Sequence, residues 1–279
     1  MDKIHIPRTT LLCVDTLNHE LAARALMLSL SGCTFERALF LTDRPINVAG
    51  VETLQIPTIA GRTDYSKRML RDLCQYVQSE FVLVIQWDGY VLNPDVWDDG
   101  FLEYDYIGAR WGYDDGKNVG NGGFSLRSRR LLEILESAEA NVIGAENEDE
   151  AICRRLRPWL QDAQEIRYAP EAVADRFSIE RVGLNPRPFG FHGLFNMAGL
   201  VAGNELDWFC SRVPEGAWRS QEFFEFIVHL EAIGRTEEAQ RASTHVAARI
   251  GAAARDQALQ RARSLVNHYA RVRHIKQQA

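Results

Sequence analysis

Five consecutive apolar residues, Phe81-Val82-Leu83-Val84-Ile85, run without polar interruption into Gln86-Trp87-Asp88-Gly89-Tyr90. A strand with one wet face alternates apolar and polar residues. An unbroken run of this length is instead the habit of a strand buried on both faces, as in parallel sheets covered by helices. In such sheets ligands bind beyond the carboxyl ends of the strands, so Asp88 stands where a ligand is expected.

The chain of 279 residues is 46% hydrophobic, ample for a sizeable core. Its five cysteines, Cys13, Cys33, Cys74, Cys153 and Cys210, are scattered and form no C-x-x-C pair, which argues against a disulfide framework or a structural zinc site. A reducing cytoplasm is expected. No basic stretch with a following apolar block opens the sequence, and no run approaches the ~20 apolar residues of a spanning helix. Any membrane role is expected to be peripheral, at the inner membrane face. The net charge of -6 hides an asymmetry: from Arg255 onward six basic residues (Arg255, Arg261, Arg263, Arg271, Arg273, Lys276) oppose only Asp256. Such a segment suits either a solvated helix face or a contact with anionic lipid or nucleic acid.

The first two-thirds alternate strand-like and helix-like segments, the pattern of an α/β layer fold around a mostly parallel sheet. Strands are expected at 11–15, 38–42, 51–56 and 81–85, with helices at 22–31 and 64–78. The apolar residues Met69, Leu70, Leu73, Tyr76 and Val77 give the second helix one buried stripe, and Thr63 or Asp64 is placed to cap it. Short strands at 106–109 and 124–127 flank the glycine-rich run Gly120-Asn121-Gly122-Gly123; helices at 129–138 and 149–160 and a strand at 174–180 follow. From about Asn204 the composition turns to alanine, arginine and glutamine, and 220–232, 236–250 and 253–274 read as helices, with Gly234 as a stop. The expected division is a domain at 1–203 and a helical region at 204–279 that packs on the core or forms a homodimer.

Three features stand out for chemistry: Asp88 at its strand end, the acidic run Glu146-Asn147-Glu148-Asp149-Glu150 at an expected helix start, and His192 between aromatic and glycine residues. Each alone has a structural reading, as a turn residue, a macrodipole partner or a loop histidine. In order along the chain, however, Val14-Asp15-Thr16, Q-W-D-G-Y-V, D-Y-I-G-A, G-N-G-G-F-S-L-R-S, the E-D pair and F-G-F-H-G resemble the GT-A-type nucleotide-sugar glycosyltransferases. In particular they resemble a bacterial domain family long labelled as of unknown function and assigned to that Rossmann-like fold. The resemblance runs from about Leu11 to Met197.

The resemblance implies roles for residues. The D-x-D motif, whose last Asp binds a divalent ion bridging the donor diphosphate, falls on Gln86, Trp87 and Asp88. Asp88 matches; Gln86 departs from it and adds no negative charge toward a metal. His192 is then expected as a second metal ligand, and an Asp plus a His suits Mn²⁺ better than Mg²⁺. Asp149, with Glu148 second, matches the acidic general base of inverting members. Donor contacts are expected from Asp15, Thr16, Asp43, Arg44, Tyr65, Lys67, Gln86, Trp87, Asp105, Arg110, Asn121, Gly122 and Gly123, and acceptor contacts from Trp111 and Tyr113. The implied reaction is transfer of a sugar from a nucleoside diphosphate, a UDP-sugar by preference, to a glycan or other hydroxyl acceptor. Because Gln86 replaces an acid, a nucleotide-sugar or glycan binding module without catalysis is the alternative, and a glycosyltransferase docked by its basic tail on membrane or nucleic acid is a third reading.

Overall fold

The structure is a computed structural model that describes residues 2–138 and 147–278. The chain divides into two compact units, Met1–His192 and Gly193–Ala279, so residues 193–203 fall with the helical unit.

The first unit is built on a six-stranded mixed sheet. In chain order the strands of this unit are β1 (Ile4–His5), β2 (Thr9–Val14), β3 (Cys33–Thr34), β4 (Arg37–Thr42), β5 (Glu52–Gln55), β6 (Phe81–Ile85), β7 (Tyr106–Ile107), β8 (Phe124–Ser128), β9 (Ser178–Ile179) and β10 (Gly190–Phe191). The sheet order is β5-β4-β2-β6-β8-β7. β5, β4, β2 and β6 run parallel, whereas β8 lies antiparallel to β6 and β7 antiparallel to β8. Every residue of β6 is buried, as its unbroken apolar run predicts. Leu12, Val14, Val82 and Val84 meet Met69, Leu73 and Val77 in one cluster, while Leu11, Cys13, Leu83 and Ile85, of opposite parity, are equally buried. Both faces of the central strands are therefore covered.

The helices of this unit are α1 (His19–Gly32), α2 (Arg62–Arg71), α3 (Arg129–Ser137), α4 (Glu148–Glu150), α5 (Arg157–Asp162) and α6 (Glu171–Phe177). Three expectations need correction. The helix expected over 64–78 ends at Arg71 and passes into a 3₁₀ turn, Leu73–Gln75; its N-cap is Gly61, and neither Thr63 nor Asp64 caps it. The helix expected over 149–160 begins at Glu148, widens into a π-helical stretch Ala151–Arg155 and resumes as α5. The strand expected over 174–180 is α6 up to Phe177, started at Pro170, with only Ser178–Ile179 extended.

The second unit is helical: α7 (Asn204–Arg212), α8 (Glu215–Trp218), α9 (Gln221–Ala232), α10 (Thr236–Ile250) and α11 (Ala252–Gln278). Ser220 Oγ caps α9 by accepting from Phe223 N. Gly234, at φ 83°, takes the left-handed turn after α9 that a side chain resists. Phe209, Phe223, Phe226, Ile227, Leu230 and Val246 form its buried centre. Of the basic tail, Arg263 is held by Glu231 and Arg255 by Asp256. No helix among the described residues is long and apolar enough to cross a membrane.

Candidate active site

The chain leaves β2, adds β4 and β5 on one side, then crosses through α2 to place β6 on the other side of β2. The order reverses between β2 and β6. In open α/β sheets that point opens a crevice outside the carboxyl ends, because the two neighbouring connections depart in opposite directions. A cleft of about 420 Å³ lies there, lined by Val14 to Asn18 after β2, by Gln86 and Trp87 after β6, and by Ile59, Gly61, Arg62 and Tyr65.

At the end of β6 the backbone turns sharply: Gln86 N donates to Gly89 O at 3.2 Å and Gly89 N to Gln86 O at 3.0 Å. The turn carries Trp87 and Asp88. Asp88 is buried, and its Oδ1 has no hydrogen-bond partner; His192 Nε2 stands 3.5 Å from it. The imidazole also bonds Gln86 Oε1 through Nε2 at 3.1 Å and meets Asn121 Nδ2 at Nδ1, 2.9 Å away. Asn121 Oδ1 accepts from Gly123 N and Phe124 N. Its backbone is left-handed, at φ 68°, a conformation asparagine tolerates better than most residues. Gln86 Nε2 in turn donates to Tyr65 OH at 2.7 Å, which links this network to the cleft. Burial opposes charge on His192, but the carboxylates of Asp88 and Glu180 more than offset it and hold its pKa well above the ordinary histidine range.

On the other side of Asn121, Gly122 N donates to Asp149 Oδ2 at 3.1 Å, and Asp149 Oδ1 accepts from Glu150 N at 2.8 Å. Glu148 is buried against Arg127, with Nη2 3.3 Å from Oε1. Burial raises the Glu148 pKa, and the guanidinium opposes the rise. Arg127 also donates to Ser125 Oγ and the Gly122 carbonyl. Gly122 and Gly123 were expected to admit a ligand to the backbone. What approaches is the protein itself: a Cβ at 122 would sit 2.1 Å from Glu148 Oε1, and one at 123 would sit 2.1 Å from His192 Nε2.

The other expected residues scatter more widely. Asp15 lines the cleft, but its Oδ1 is taken by Leu17 N and Asn18 N and its Oδ2 by Asn18 Nδ2; burial raises its pKa against these bonds. Thr16 lines the cleft and accepts from Ile59 N. Asp43 accepts from His19 and Thr58, and Arg44 lines a separate cleft beside β5, so neither belongs to the lining at the switch point. Lys67 is exposed and outside that lining, where Arg62 stands instead. Asp105 has both oxygens committed, to Ser128 Oγ and Arg167 N, and Arg110 is spent on Glu171 and Asp175. Trp111 packs on the cluster around Leu70, Tyr106 and Leu131, while Tyr113 lies under the Arg154 guanidinium. Glu146 lies outside the described residues.

The donor set suits a divalent cation in part. Asp88 offers a hard, buried oxygen that accepts no hydrogen bond, His192 offers a borderline nitrogen 3.5 Å away, and Gly123 keeps any side chain from that nitrogen. Among the described residues no cluster of three or more His, Cys, Asp or Glu side chains is arranged to hold a metal. The protein alone would thus supply two ligands.

A family model described as a protein of unknown function, DUF5672, matches residues 49–192. The chain belongs to that family. The DUF5672 region begins after β4 and ends on His192, so it takes in Asp88, Asn121, Asp149 and His192 but not Asp15 or Thr16. No curated protein matches the chain. Similar solved structures include two crystal structures of the glycosyltransferase GlyE of Streptococcus pneumoniae TIGR4. The apo form is 12% identical with a TM-score of 0.40, covering 74% of this chain and 60% of that one. The second gives 12% identity, a TM-score of 0.36 and the same coverage, 74% and 60%. The chain thus spans about 60% of the length of those structures.

Proposed function

We propose that the protein is a metal-dependent glycosyltransferase of the GT-A type that moves a sugar from a nucleoside diphosphate to a hydroxyl acceptor with inversion. The observation that carries this reading is the buried Asp88 carboxylate, whose Oδ1 accepts no hydrogen bond and lies 3.5 Å from His192 Nε2, at the strand end that closes the switch-point cleft. The ordered motifs from Asp15 to His192 support it independently.

The cleft takes the nucleoside, with Tyr65 and Trp87 as its aromatic surfaces and Arg62 as a cation for the phosphates. Asp88 and His192 would hold a divalent ion, Mn²⁺ ahead of Mg²⁺, which when bound neutralises charge on the departing diphosphate. Asp149, fixed by the Gly122 and Glu150 N–H groups, accepts the proton of the acceptor hydroxyl. The bond from that oxygen to the anomeric carbon forms as the bond to the diphosphate breaks, and the electron pair leaves with the nucleotide.

Wild-type protein with Mn²⁺ and a panel of UDP-, GDP- and dTDP-sugars is expected to release nucleoside diphosphate from one donor class. Asp88→Ala should abolish that release. Equal behaviour of both proteins on every donor would refute the reading. A binding module is the second reading, favoured by Gln86, whose amide is spent on Tyr65 and His192 at the position of an acid. Donor binding without turnover, unchanged in Asp149→Asn, would decide for it.

A further inference from the structure

Asp105 and Arg110 are committed to structure, which leaves Tyr106, within the D-Y-I-G-A run, to be explained. Its backbone is held on both sides: β7 pairs with β8, Tyr106 opposite Arg127, and Ala169 N donates to Tyr106 O at 3.0 Å. The ring is fully buried with Leu131, Ile152 and Cys153, and the Arg127 guanidinium stands 5.8 Å from its centre. A buried tyrosine needs a partner for its hydroxyl. Tyr106 OH donates to the Asn121 carbonyl at 2.9 Å. Burial holds this phenol well above the ordinary tyrosine range, so it stays a protonated donor.

The Asn121 carbonyl and the Gly122 N–H belong to one peptide group. No cis peptide occurs among the described residues, so the two point in opposite directions. Tyr106 therefore holds one end of the group, and Asp149 Oδ2 accepts from the other at 3.1 Å. A donor on the carbonyl polarises the peptide and strengthens its N–H as a donor in turn. The peptide is also fixed from the side: Asn121 Oδ1 accepts from Gly123 N and Phe124 N, and a Cβ at Gly108 would lie 2.7 Å from the Asn121 carbonyl oxygen. Asp149 is half-buried, so its carboxylate is steadied while part of it stays open to solvent.

We propose that Tyr106 is a positioning residue for the general base: its hydroxyl, acting through the Asn121–Gly122 peptide, fixes the Asp149 carboxylate in the orientation that receives the acceptor's proton. The proposal rests on the reading of Asp149 above and is independent of any metal ligand. Tyr106 touches no substrate; it acts through the peptide alone.

The amide proton of Gly122 in the proton–nitrogen correlation spectrum of the full chain reads this arrangement without turnover. Asp149→Asn should move it upfield, which identifies the bond to the carboxylate. Tyr106→Phe, which removes the hydroxyl and keeps the ring, should move it the same way by less. Tyr106→3-fluorotyrosine, a stronger donor of nearly the same shape, should move it downfield and supplies the result if Tyr106→Phe does not fold. On the donor that wild type hydrolyses in the sugar-nucleotide panel, Asp149→Asn should lower kcat by about 10²–10⁴-fold. Tyr106→Phe should lower it by up to about 100-fold, the cost of a misplacement of about 1 Å, with the donor KM unchanged. In the double variant the two losses should not multiply. A role in packing alone would lower the melting temperature and leave the Gly122 proton and kcat as in wild type. That result, with Asp149→Asn inactive, would overturn the role of Tyr106 alone. Full activity of Asp149→Asn, or a wild type that hydrolyses no donor, would overturn the general-base reading and the proposal with it.

Discussion

Arg127 has 0% side-chain exposure and its partner Glu148 7%, so this ion pair is out of water altogether. Arg127→Met removes the guanidinium and leaves a carboxylate inside with no compensating charge. Breaking one side of such a pair costs about 3–5 kcal/mol, because the remaining charge keeps its desolvation penalty. Two further donations end as well, to Ser125 Oγ and the Gly122 carbonyl, although Ser125 Oγ still donates to that carbonyl. For a unit of this size, a loss of about 3–5 kcal/mol corresponds to a fall of about 6–20 °C in melting temperature.

The pH dependence has a definite sign. Burial raises the Glu148 pKa above its ordinary value, Arg127 restrains the rise, and the variant releases the restraint. An acid whose folded pKa exceeds its unfolded one costs stability at high pH, where it must stay charged, and the cost fades as the pH falls toward the unfolded value. Urea denaturation of the variant should therefore show its largest deficit near pH 8 and a smaller one near pH 5. Arg127→Met combined with Glu148→Leu, which removes both charges, should recover most of the loss. A single-variant deficit under about 1 kcal/mol, or one that ignores pH, or no recovery in the double variant, would refute the reasoning.

Gly123→Ala places a Cβ 2.1 Å from His192 Nε2 and 2.8 Å from Gln86 Oε1, so Mn²⁺ binding with UDP should fall, and overpacking of this buried network should cost about 1–3 kcal/mol of stability; wild-type affinity and melting temperature would contradict it. In the helical unit Arg235 holds the Glu238 carboxyl down to about 2, a contribution present above about 4.5 and lost as the pH falls toward 2; acid unfolding of Glu238→Gln, set against wild type, should show a shallower pH dependence there. All five cysteines are buried as free thiols, and burial pushes Cys33 and Cys210 up to about 12, so a thiol reagent at pH 8 should label native protein slowly and denatured protein at once.

Much of the first unit is legible in the sequence because its central strands are buried on both faces. The unbroken run of Phe81–Ile85 leaves no other reading, and the switch point follows from the order of strands and the crossover. Strand direction is not legible: β8 is apolar and fully buried whether it runs parallel or antiparallel. Residues 174–177 misled because a helix of only seven residues, Glu171–Phe177, leaves little room for a 3.6-residue period to declare itself. Asp88 and His192 stand out by their motifs, and the structure brings their side chains to 3.5 Å of each other. Asp105 and Arg110 sit in equally suggestive motifs, yet their partners Ser128, Arg167, Glu171 and Asp175 are distant in sequence and use their charge for structure. The approach of Glu180 to His192 gave no signal, since it depends on the register of two dipeptide strands, Ser178–Ile179 and Gly190–Phe191. Arg127 gave a faint one: a charged residue within an apolar strand asks for a buried counter-charge.

A crystal of the protein with Mn²⁺ and UDP tests the central claim most directly. The ion should lie in coordination distance of Asp88 Oδ1 and His192 Nε2, completed by phosphate oxygens, with the nucleoside in the cleft between Thr16, Tyr65 and Trp87. An ion bound without Asp88, or a nucleotide seated in the cleft beside Arg44 and Gln55, would contradict it.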